Sequence, residues 1–287
     1  MEDSIVHSDE NAAERDNMFQ RLIEIGISLS SERDHNRLLE TILIEAKRIA
    51  NADGGTLYLM ADDGRTLSFA IVRNDTLDIS MGGTTGVPIP FGPLALYDEA
   101  GTPNFNNVAT AVALNRMTVN IPNAYESKTF DFSGTHAFDE SMGYRSQSFL
   151  TIPLMSNDDS VIGVVQLINA RNRNGEVVPF APELQPIIEA LSSQAAVALV
   201  NEMLIRGQRA LLDSFIELMA GAVDAKSAYT GGHCQRVPHL TKMLARVACE
   251  SDYPAFQEFD LNEDEWYELH LAAWLHDCGK VTTPEYV

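Results

Sequence analysis

The sharpest chemical feature of the sequence is the pair His276-Asp277, which Gly279-Lys280 follows. Imidazole and carboxylate groups are the ligand types that hold borderline divalent metals. Adjacent side chains near a helix end can both reach a cation lying off that end, and Lys280 would then attract a phosphate brought to the metal. Because surface and capping pairs of this kind are common, the dipeptide alone is weak evidence and calls for a further ligand.

His233 is the candidate third ligand, since it follows Gly231-Gly232 at the start of a predicted helix. Two packed antiparallel helices would bring it beside His276 and Asp277. Two imidazoles and one carboxylate leave room at a metal for water and substrate. The reaction that such a centre suggests is attack of a metal-bound hydroxide on a phosphodiester. Arg236, one turn after His233, is either a phosphate contact or an ordinary exposed helix arginine.

Helices must position these ligands. A helix is predicted after the polar turn DAKSAYTGGH, with one apolar face formed by Val237, Leu240, Leu244 and Val247. Because proline disrupts the helix interior, Pro238 predicts that this helix is kinked or starts late. A second helix, from about Glu263, leads into LHDCGK. The C-terminal region is therefore expected to be all-α.

The preceding half of the chain has a different pattern. An acidic tail over 1–16 is expected to be frayed, and two helices follow, one over 17–29 and one over 38–49. Glycines and prolines leave 81–93 uncertain. Turn signals separate five β-rich runs, which favour an α+β domain with an antiparallel sheet flanked by helices: TLYLM, TLSFAIV, MTVNIP, SFLTIPL and VIGVVQLINA.

The segment 184–223 is the most periodic in the chain. Steps of four and three from Leu184 to Val223 meet apolar residues at all but two positions, Glu202 and Arg209, which is typical of a heptad seam. Two interpretations stay open: two shorter helices broken near Gly207, or one continuous helix that pairs with a second copy of the chain. In both, the domain boundary falls inside this segment.

Composition limits the classes of function. The 287 residues carry 20 basic and 41 acidic side chains, a net charge of -21 and a pI near 4.5, which disfavours binding to DNA, RNA or an anionic membrane surface. The start of the chain is acidic where a signal peptide would be basic, and the apolar runs are too short to cross a bilayer. Three cysteines without disulfide spacing complete the expectation of a cytoplasmic protein.

The segments DAKSAYTGGHCQRV and LHDCGKVTTPEYV resemble the opening of an HD-GYP domain, the metal-dependent phosphohydrolase family that opens cyclic di-GMP. That resemblance implies His233, His276 and Asp277 as metal ligands and Lys280 as the lysine of the HD-x-x-K signature. It also implies a divalent transition metal, iron or manganese. Tyr229 stands where members with three metals tend to carry glutamate, which favours a dinuclear centre in the intact domain.

The family's other ligands, its GYP loop and a distal carboxylate would lie beyond Val287. We therefore expect 212–287 to be a partial HD-GYP domain, and this chain by itself to lack phosphodiesterase activity.

Over 17–200 the sequence resembles a GAF domain, through NIPNAY, FDFSGTHAFDE, GYRSQSFLTIPL and VIGVVQLINA in that order. Of the signature of cyclic-nucleotide-binding members, Asn169 and Phe180 match, whereas three other positions differ, so the GAF ligand is unknown. His136 is a possible haem ligand, but a lone loop histidine is more often a surface residue.

Together these resemblances predict a GAF sensor joined by the 184–223 helix to a phosphodiesterase, with a homodimer formed through that helix. The competing hypothesis is a non-catalytic GAF dimer whose incomplete HD part only relays or binds.

Overall fold

The computed structural model of the chain describes residues 20–226 and 232–281, with the side chains of 20–222 and 232–279. The chain divides into two compact units, Met1–Glu202 and Met203–Val287. The division falls inside a single long helix, Gln185–Lys226.

The first unit is an α+β fold. Its described helices are α1 (20–31), α2 (His35–Ala50), α3 (Val108–Asn115), α4 (Ser133–Met142) and the start of α5 (Gln185–Lys226). Its strands are β1 (Ala52–Met60), β2 (Thr66–Asn74), β3 (Ile79–Gly82), β4 (Leu94–Ala95), β5 (Val119–Ile121), β6 (Phe149–Met155), β7 (Val161–Arg171) and β8 (Val177–Val178).

The strands form one antiparallel sheet in the order β3-β2-β1-β7-β6-β5, with β4 paired to β2 and β8 paired to β7. Val165 at its centre lies opposite Leu57 on β1 and Ile152 on β6. The predicted antiparallel sheet with flanking helices is confirmed.

Side chains that alternate along the strands form two cores, one on each face of the sheet. On one face Leu57 and Leu167 pack with residues of α1, α2 and α5, among them Leu43 and Ile188. On the other face Tyr58 packs with residues of α3 and of the segment that leads into α4. Asp34 caps the start of α2, and its carboxylate accepts a hydrogen bond from Arg37 N at 2.8 Å.

The helix α5 is continuous through Gly207, so a break there is wrong and the continuity predicted for 184–223 is confirmed, whereas pairing with a second copy stays a prediction. The predicted seam along it is wrong in its first half. Ile188, Leu191, Ala195 and Ala198 are buried in the core of the first unit and are not available to a partner.

By length and apolar composition, Pro182–Ala222 is a candidate for crossing a membrane, whereas the sequence predicted no run long enough. Of its most apolar window, 39% is buried inside the protein. This buried share reflects the packing of α5 in the core of the first unit.

The second unit consists of the remainder of α5, α6 (His233–Cys249), α7 (Glu263–Leu275) and a 3₁₀ turn (Cys278–Val281). The helix α6 starts at His233 and includes Pro238, so a late start after the proline is excluded. Asn262 and Glu265 form a capping box that fixes where α7 begins.

Candidate functional site

Two helix ends of the second unit bring the three predicted metal ligands together. Nε2 of His233 lies 3.1 Å from Nε2 of His276 and 3.7 Å from Oδ2 of Asp277. Nε2 of His276 lies 3.3 Å from the same carboxylate oxygen. For metal–ligand bonds of 2.0–2.2 Å, neighbouring ligand atoms are about 2.8–3.6 Å apart, from octahedral to tetrahedral geometry. Two sides of the triangle fall in this range and the third, at 3.7 Å, is slightly longer, so the three atoms lie close to the dimensions of one face of a metal coordination shell.

The local backbone accounts for the position of each ligand. Gly232, just before α6, has a φ of +72°, a left-handed conformation that favours glycine and places His233 at the first helical position. The helix α7 ends at Leu275, with His276 as its C-cap and Asp277 in the following turn.

The hydrogen bonding of His276 decides which ring nitrogen faces the cluster. Its Nδ1 donates to the carbonyl oxygen of Ala273 at 2.7 Å, so the neutral ring presents a lone pair on Nε2. That lone pair faces both Nε2 of His233, which lies within hydrogen-bond distance, and the Asp277 carboxylate. Two electron-rich atoms at this distance repel unless a cation or a proton lies between them. The donor set and its geometry therefore fit a divalent metal.

The structure describes one of the two side chains predicted to contact phosphate, Arg236, but not the other, Lys280. Arg236 is exposed on α6, one turn after His233, and its Nη1 lies beside Gly232. The side chain of Lys280 lies outside the described part of the chain. Tyr229 also lies outside it, so its bearing on the number of metals stays a prediction.

A cavity of about 530 Å³ opens in the first unit between the sheet and α4. One wall is a row of aromatic rings. The centroids of Tyr58 and Phe69 are 4.7 Å apart, those of Phe69 and Phe91 5.3 Å, and Phe138 on α4 continues the row at 6.4 Å from Phe91. A flat apolar surface of this kind suits an aromatic ligand.

Three polar side chains of the cavity wall, Arg73, Gln166 and Tyr58, have partners within the protein. Nη2 of Arg73 lies 2.5 Å from Oε1 of Glu40, and Nε2 of Gln166 donates to Thr151 Oγ1 at 3.3 Å. Burial raises the pKa of the Tyr58 phenol, which keeps it a neutral donor to Gln166. The wall is therefore partly polar, and the charge of Arg73 is compensated by Glu40.

A GAF domain family model matches residues 34–199, more than half of the chain. The chain belongs to the GAF domain family. The matched residues lie within the first unit, and so does the aromatic cavity.

Two curated relatives match at low identity. The dual 3',5'-cyclic-AMP and -GMP phosphodiesterase 11A of Takifugu rubripes is 25% identical over 187 residues, which are 65% of this chain and 19% of the relative. The cGMP-specific 3',5'-cyclic phosphodiesterase of Drosophila ananassae is 26% identical over 162 residues, 54% of this chain and 12% of the relative. The chain therefore spans less than a fifth of each.

Solved structures with similar folds include a GAF domain from a phosphoenolpyruvate-protein phosphotransferase of Coxiella burnetii. It is 14% identical, with a TM-score of 0.49, and the match covers 67% of this chain and 97% of the chain in that structure. A GAF domain/HD domain protein from Geobacter sulfurreducens is 18% identical, with a TM-score of 0.42. That match covers 61% of this chain and 98% of the chain in that structure. The family assignment rests on the match of residues 34–199.

The two GAF motif residues singled out from the sequence do not line the described cavity. Asn169, at a φ of 58°, accepts hydrogen bonds from Gln147 N at 2.7 Å and Ser148 N at 3.2 Å. It also donates to the carbonyl oxygen of Arg145 and to the hydroxyl of Tyr144. Phe180 is buried in the core. Both residues hold the GAF fold together and make no contribution to the cavity wall.

Sequence reasoning missed the residues that do form the cavity wall. They are dispersed from Gly55 to Ile168, and Phe91 lies in the stretch whose structure was uncertain. Alternation along β2 places Leu67 and Phe69 on the cavity face, but Ile71 lies on the opposite face because the pairing of β1 with β2 shifts register between Phe69 and Ile71, which the sequence did not reveal.

His136, predicted in a loop, lies instead on α4, where its ring stacks on Tyr125 at 4.3 Å. It does not line the described cavity, so a haem-ligating role there has no support.

Proposed function

We propose that this chain is the sensory part and first catalytic segment of a cytoplasmic HD-GYP-type phosphodiesterase that hydrolyses cyclic di-GMP in the intact protein. The observation that carries the proposal is the triangle of His233, His276 and Asp277, whose three ligand atoms lie within 4.8 Å of one another. The names of the relatives agree with a signalling role. Because those relatives are matched over less than a fifth of their length, the catalytic part of the proposal depends on the cluster.

The ligand set favours a borderline divalent transition metal, iron or manganese, since two imidazoles and one carboxylate mix nitrogen and hard oxygen donors. His276 is already oriented as a ligand, because its Nδ1–H is held by the carbonyl oxygen of Ala273. Asp277 is the residue that would bridge a second metal in a dinuclear centre of the intact domain. The ligands of that second metal are not among those found in the cluster.

A metal bound there would supply Lewis-acid activation of a phosphate oxygen and of water. The residues of this chain would hold the metal and orient the phosphate substrate. His233 and His276 fix one side of the coordination shell, and Asp277 contributes the negative charge. Arg236 lies one turn from His233, within the length of its side chain from a phosphate at the cluster. Lys280 would add a second cation.

The GAF cavity is the proposed sensor site, for a small molecule with a flat aromatic part and a hydrogen-bonding edge. In its lining Arg73 is paired with Glu40, and its rings offer a stacking surface. A bound signal would act by shifting the pairing of two α5 helices in a homodimer, because a ligand changes an equilibrium when it prefers one of two states. The alternative function is a non-catalytic GAF module in which the HD part only relays.

The decisive experiment combines metal analysis with cyclic di-GMP turnover. This 287-residue chain, purified and loaded with Mn²⁺ or with Fe²⁺ without oxygen, should bind metal at the cluster and show no turnover. A longer natural chain with further metal ligands should bind two metals and turn over. His276→Ala should weaken binding of the first metal by about 100-fold or more, in line with the loss of a ligand. His239→Ala, an exposed histidine on α6, is the matched control and should bind normally.

Two outcomes would contradict the proposal. Metal binding that survives His276→Ala would remove the cluster as the metal site. Absence of cyclic di-GMP turnover in a longer chain with two bound metals would favour the non-catalytic module.

A further inference from the structure

The part of α5 in the second unit carries an exposed apolar seam that is one residue out of register with the predicted one. Leu204, Leu211 and Leu218, seven residues apart, are 65%, 74% and 73% exposed, and Phe215 between the last two is 61% exposed. Gln208, also exposed, takes the corresponding place between the first two leucines. Successive residues of this seam are alternately four and three positions apart, which is the pattern of a coiled coil. In heptad notation Leu204, Leu211 and Leu218 occupy d positions, and Gln208 and Phe215 occupy a positions.

The other helices of the second unit pack against the opposite side of α5. Tyr267 on α7 donates to Asp213 at 3.1 Å and lies under the guanidinium of Arg209 at 5.4 Å. Ile216 and Ala220 are buried on the same side. At 3.6 residues per turn these positions lie about half a turn from the leucines. Among the described residues of the second unit, the seam is left uncovered.

The seam is complementary to a second copy of itself. A polar residue at an a position is satisfied when its own counterpart faces it, and this occurs in a parallel, in-register pair. Gln208 holds such a position, and Asn201 occupies the preceding one in the sequence.

Charge favours the same occupant. No charged residue of 203–222 occupies an a or d position. The e and g positions that flank the seam also hold uncharged residues: Ile205, Gly207, Leu212, Ser214, Met219 and Gly221. Two chains, each with a net charge of -21, therefore meet along a neutral surface.

We propose that this seam, Leu204–Gln208–Leu211–Phe215–Leu218, pairs with the same seam of a second copy in a parallel, in-register, two-stranded coiled coil. The proposal rests on the homodimer of the proposed function. It names the face, register and direction of that dimer, and it replaces the predicted contacts of Ile205, Leu212 and Met219 at the centre of the interface.

Single cysteines test the register. In the full chain with Cys234→Ala, Cys249→Ser and Cys278→Ser, Leu211→Cys should form an intermolecular disulfide on mild oxidation about tenfold faster than Ala210→Cys, because facing d positions meet disulfide geometry. Ala210 lies on the same turn away from the seam and is the matched control. Faster crosslinking through Leu212→Cys than through Leu211→Cys would restore the predicted register and overturn this one.

Two further cysteines test direction. Leu204→Cys and Leu218→Cys should each crosslink to themselves, whereas preferential formation of mixed 204–218 disulfides would show an antiparallel pair and overturn the proposal.

Light scattering of the unmodified chain at micromolar concentration separates the remaining cases. A monomer would overturn both the seam and the homodimer, and a dimer without the Leu211 crosslink would overturn the seam alone. Sedimentation with phosphatidylcholine vesicles that abolishes the crosslink would assign the face to a membrane. Metal binding at His276 is independent of all these results.

Discussion

The GAF cavity and the histidine–aspartate cluster differ in how their polar atoms are satisfied. Around the cavity, Tyr144 donates to Asp53 at 2.5 Å and accepts from Asn169 at 2.9 Å, so this network is complete without a ligand. In the cluster, the lone pair of His276 faces the carboxylate of Asp277 at 3.3 Å. The comparison indicates that the network beside the cavity is satisfied by protein groups alone, whereas Nε2 of His276 and the Asp277 carboxylate call for a cation or a proton between them.

The largest effect that would test this view of the GAF domain is expected from Asn169→Ala. The substitution removes four hydrogen bonds of a buried side chain and places alanine at a φ of 58°, so the free energy of unfolding should fall by about 3–5 kcal/mol. Calorimetry of the full chain, with the transition assigned to the GAF domain, measures the loss. Asn169→Gly, which tolerates the backbone conformation, separates the two causes. Exposed Asn115→Ala is the control, and a loss at position 169 as small as at 115 would contradict a preformed network.

Metal addition tests the other half of the comparison. Mn²⁺ at a hundredfold excess over its Kd should stabilise the second unit by about 2.7 kcal/mol, because it binds the folded cluster alone. Hydrogen exchange locates the effect, with slower exchange expected in α6 and α7 and unchanged exchange in the GAF strands. His233→Ala should show no protection. Equal protection in the wild type and the variant would mean that the metal binds elsewhere.

The sequence predicted the sheet better than it predicted the helices that cover the cavity. Runs of β-forming residues bounded by turn residues made β1, β2, β6 and β7 visible, and these strands separate the two cores. The helix α3 was missed because its residues Val108–Ala113 are buried all round, which leaves no apolar stripe of helical period. The helix α4 begins with Ser133, Gly134 and Thr135, which are poor helix formers, so helix propensity did not indicate its start.

The sites show the same division between local and non-local information. The residues of the metal cluster belong to two short motifs, so their chemistry was predictable before their positions were known. The α5 seam contains adjacent apolar pairs, Leu204-Ile205, Leu211-Leu212 and Leu218-Met219, which allow two heptad registers. Only the packing of Ile216 and Ala220 on the far side of α5 decides between them.

A smaller effect is expected from Tyr144→Phe, which removes one donor from buried Asp53 while Thr76 still donates to that carboxylate. The free energy of unfolding should fall by about 1–2 kcal/mol. Burial, followed by the hydrogen bond to Asp53, raises the pKa of the Tyr144 phenol. A raised pKa in the folded state means that this stabilisation is present below pH 10 and is lost as the pH rises further. Alkaline unfolding curves should therefore converge for wild type and variant. A gap that widens above pH 10 would contradict the donor role.

The smallest effect should come from Phe91→Ala at the edge of the aromatic row. Phe91 is 42% exposed, so its truncation leaves no closed void and should lower the free energy of unfolding by less than about 1 kcal/mol. Its contact with Phe138 is a single edge-on ring contact at 6.4 Å, and hydrogen exchange in α4 should rise only slightly when it is lost. Denaturation with urea measures the first quantity and exchange mass spectrometry the second. A loss above 2 kcal/mol would mean that Phe91 belongs to the core, and that the cavity depends on its rim as much as on the paired network around Tyr144.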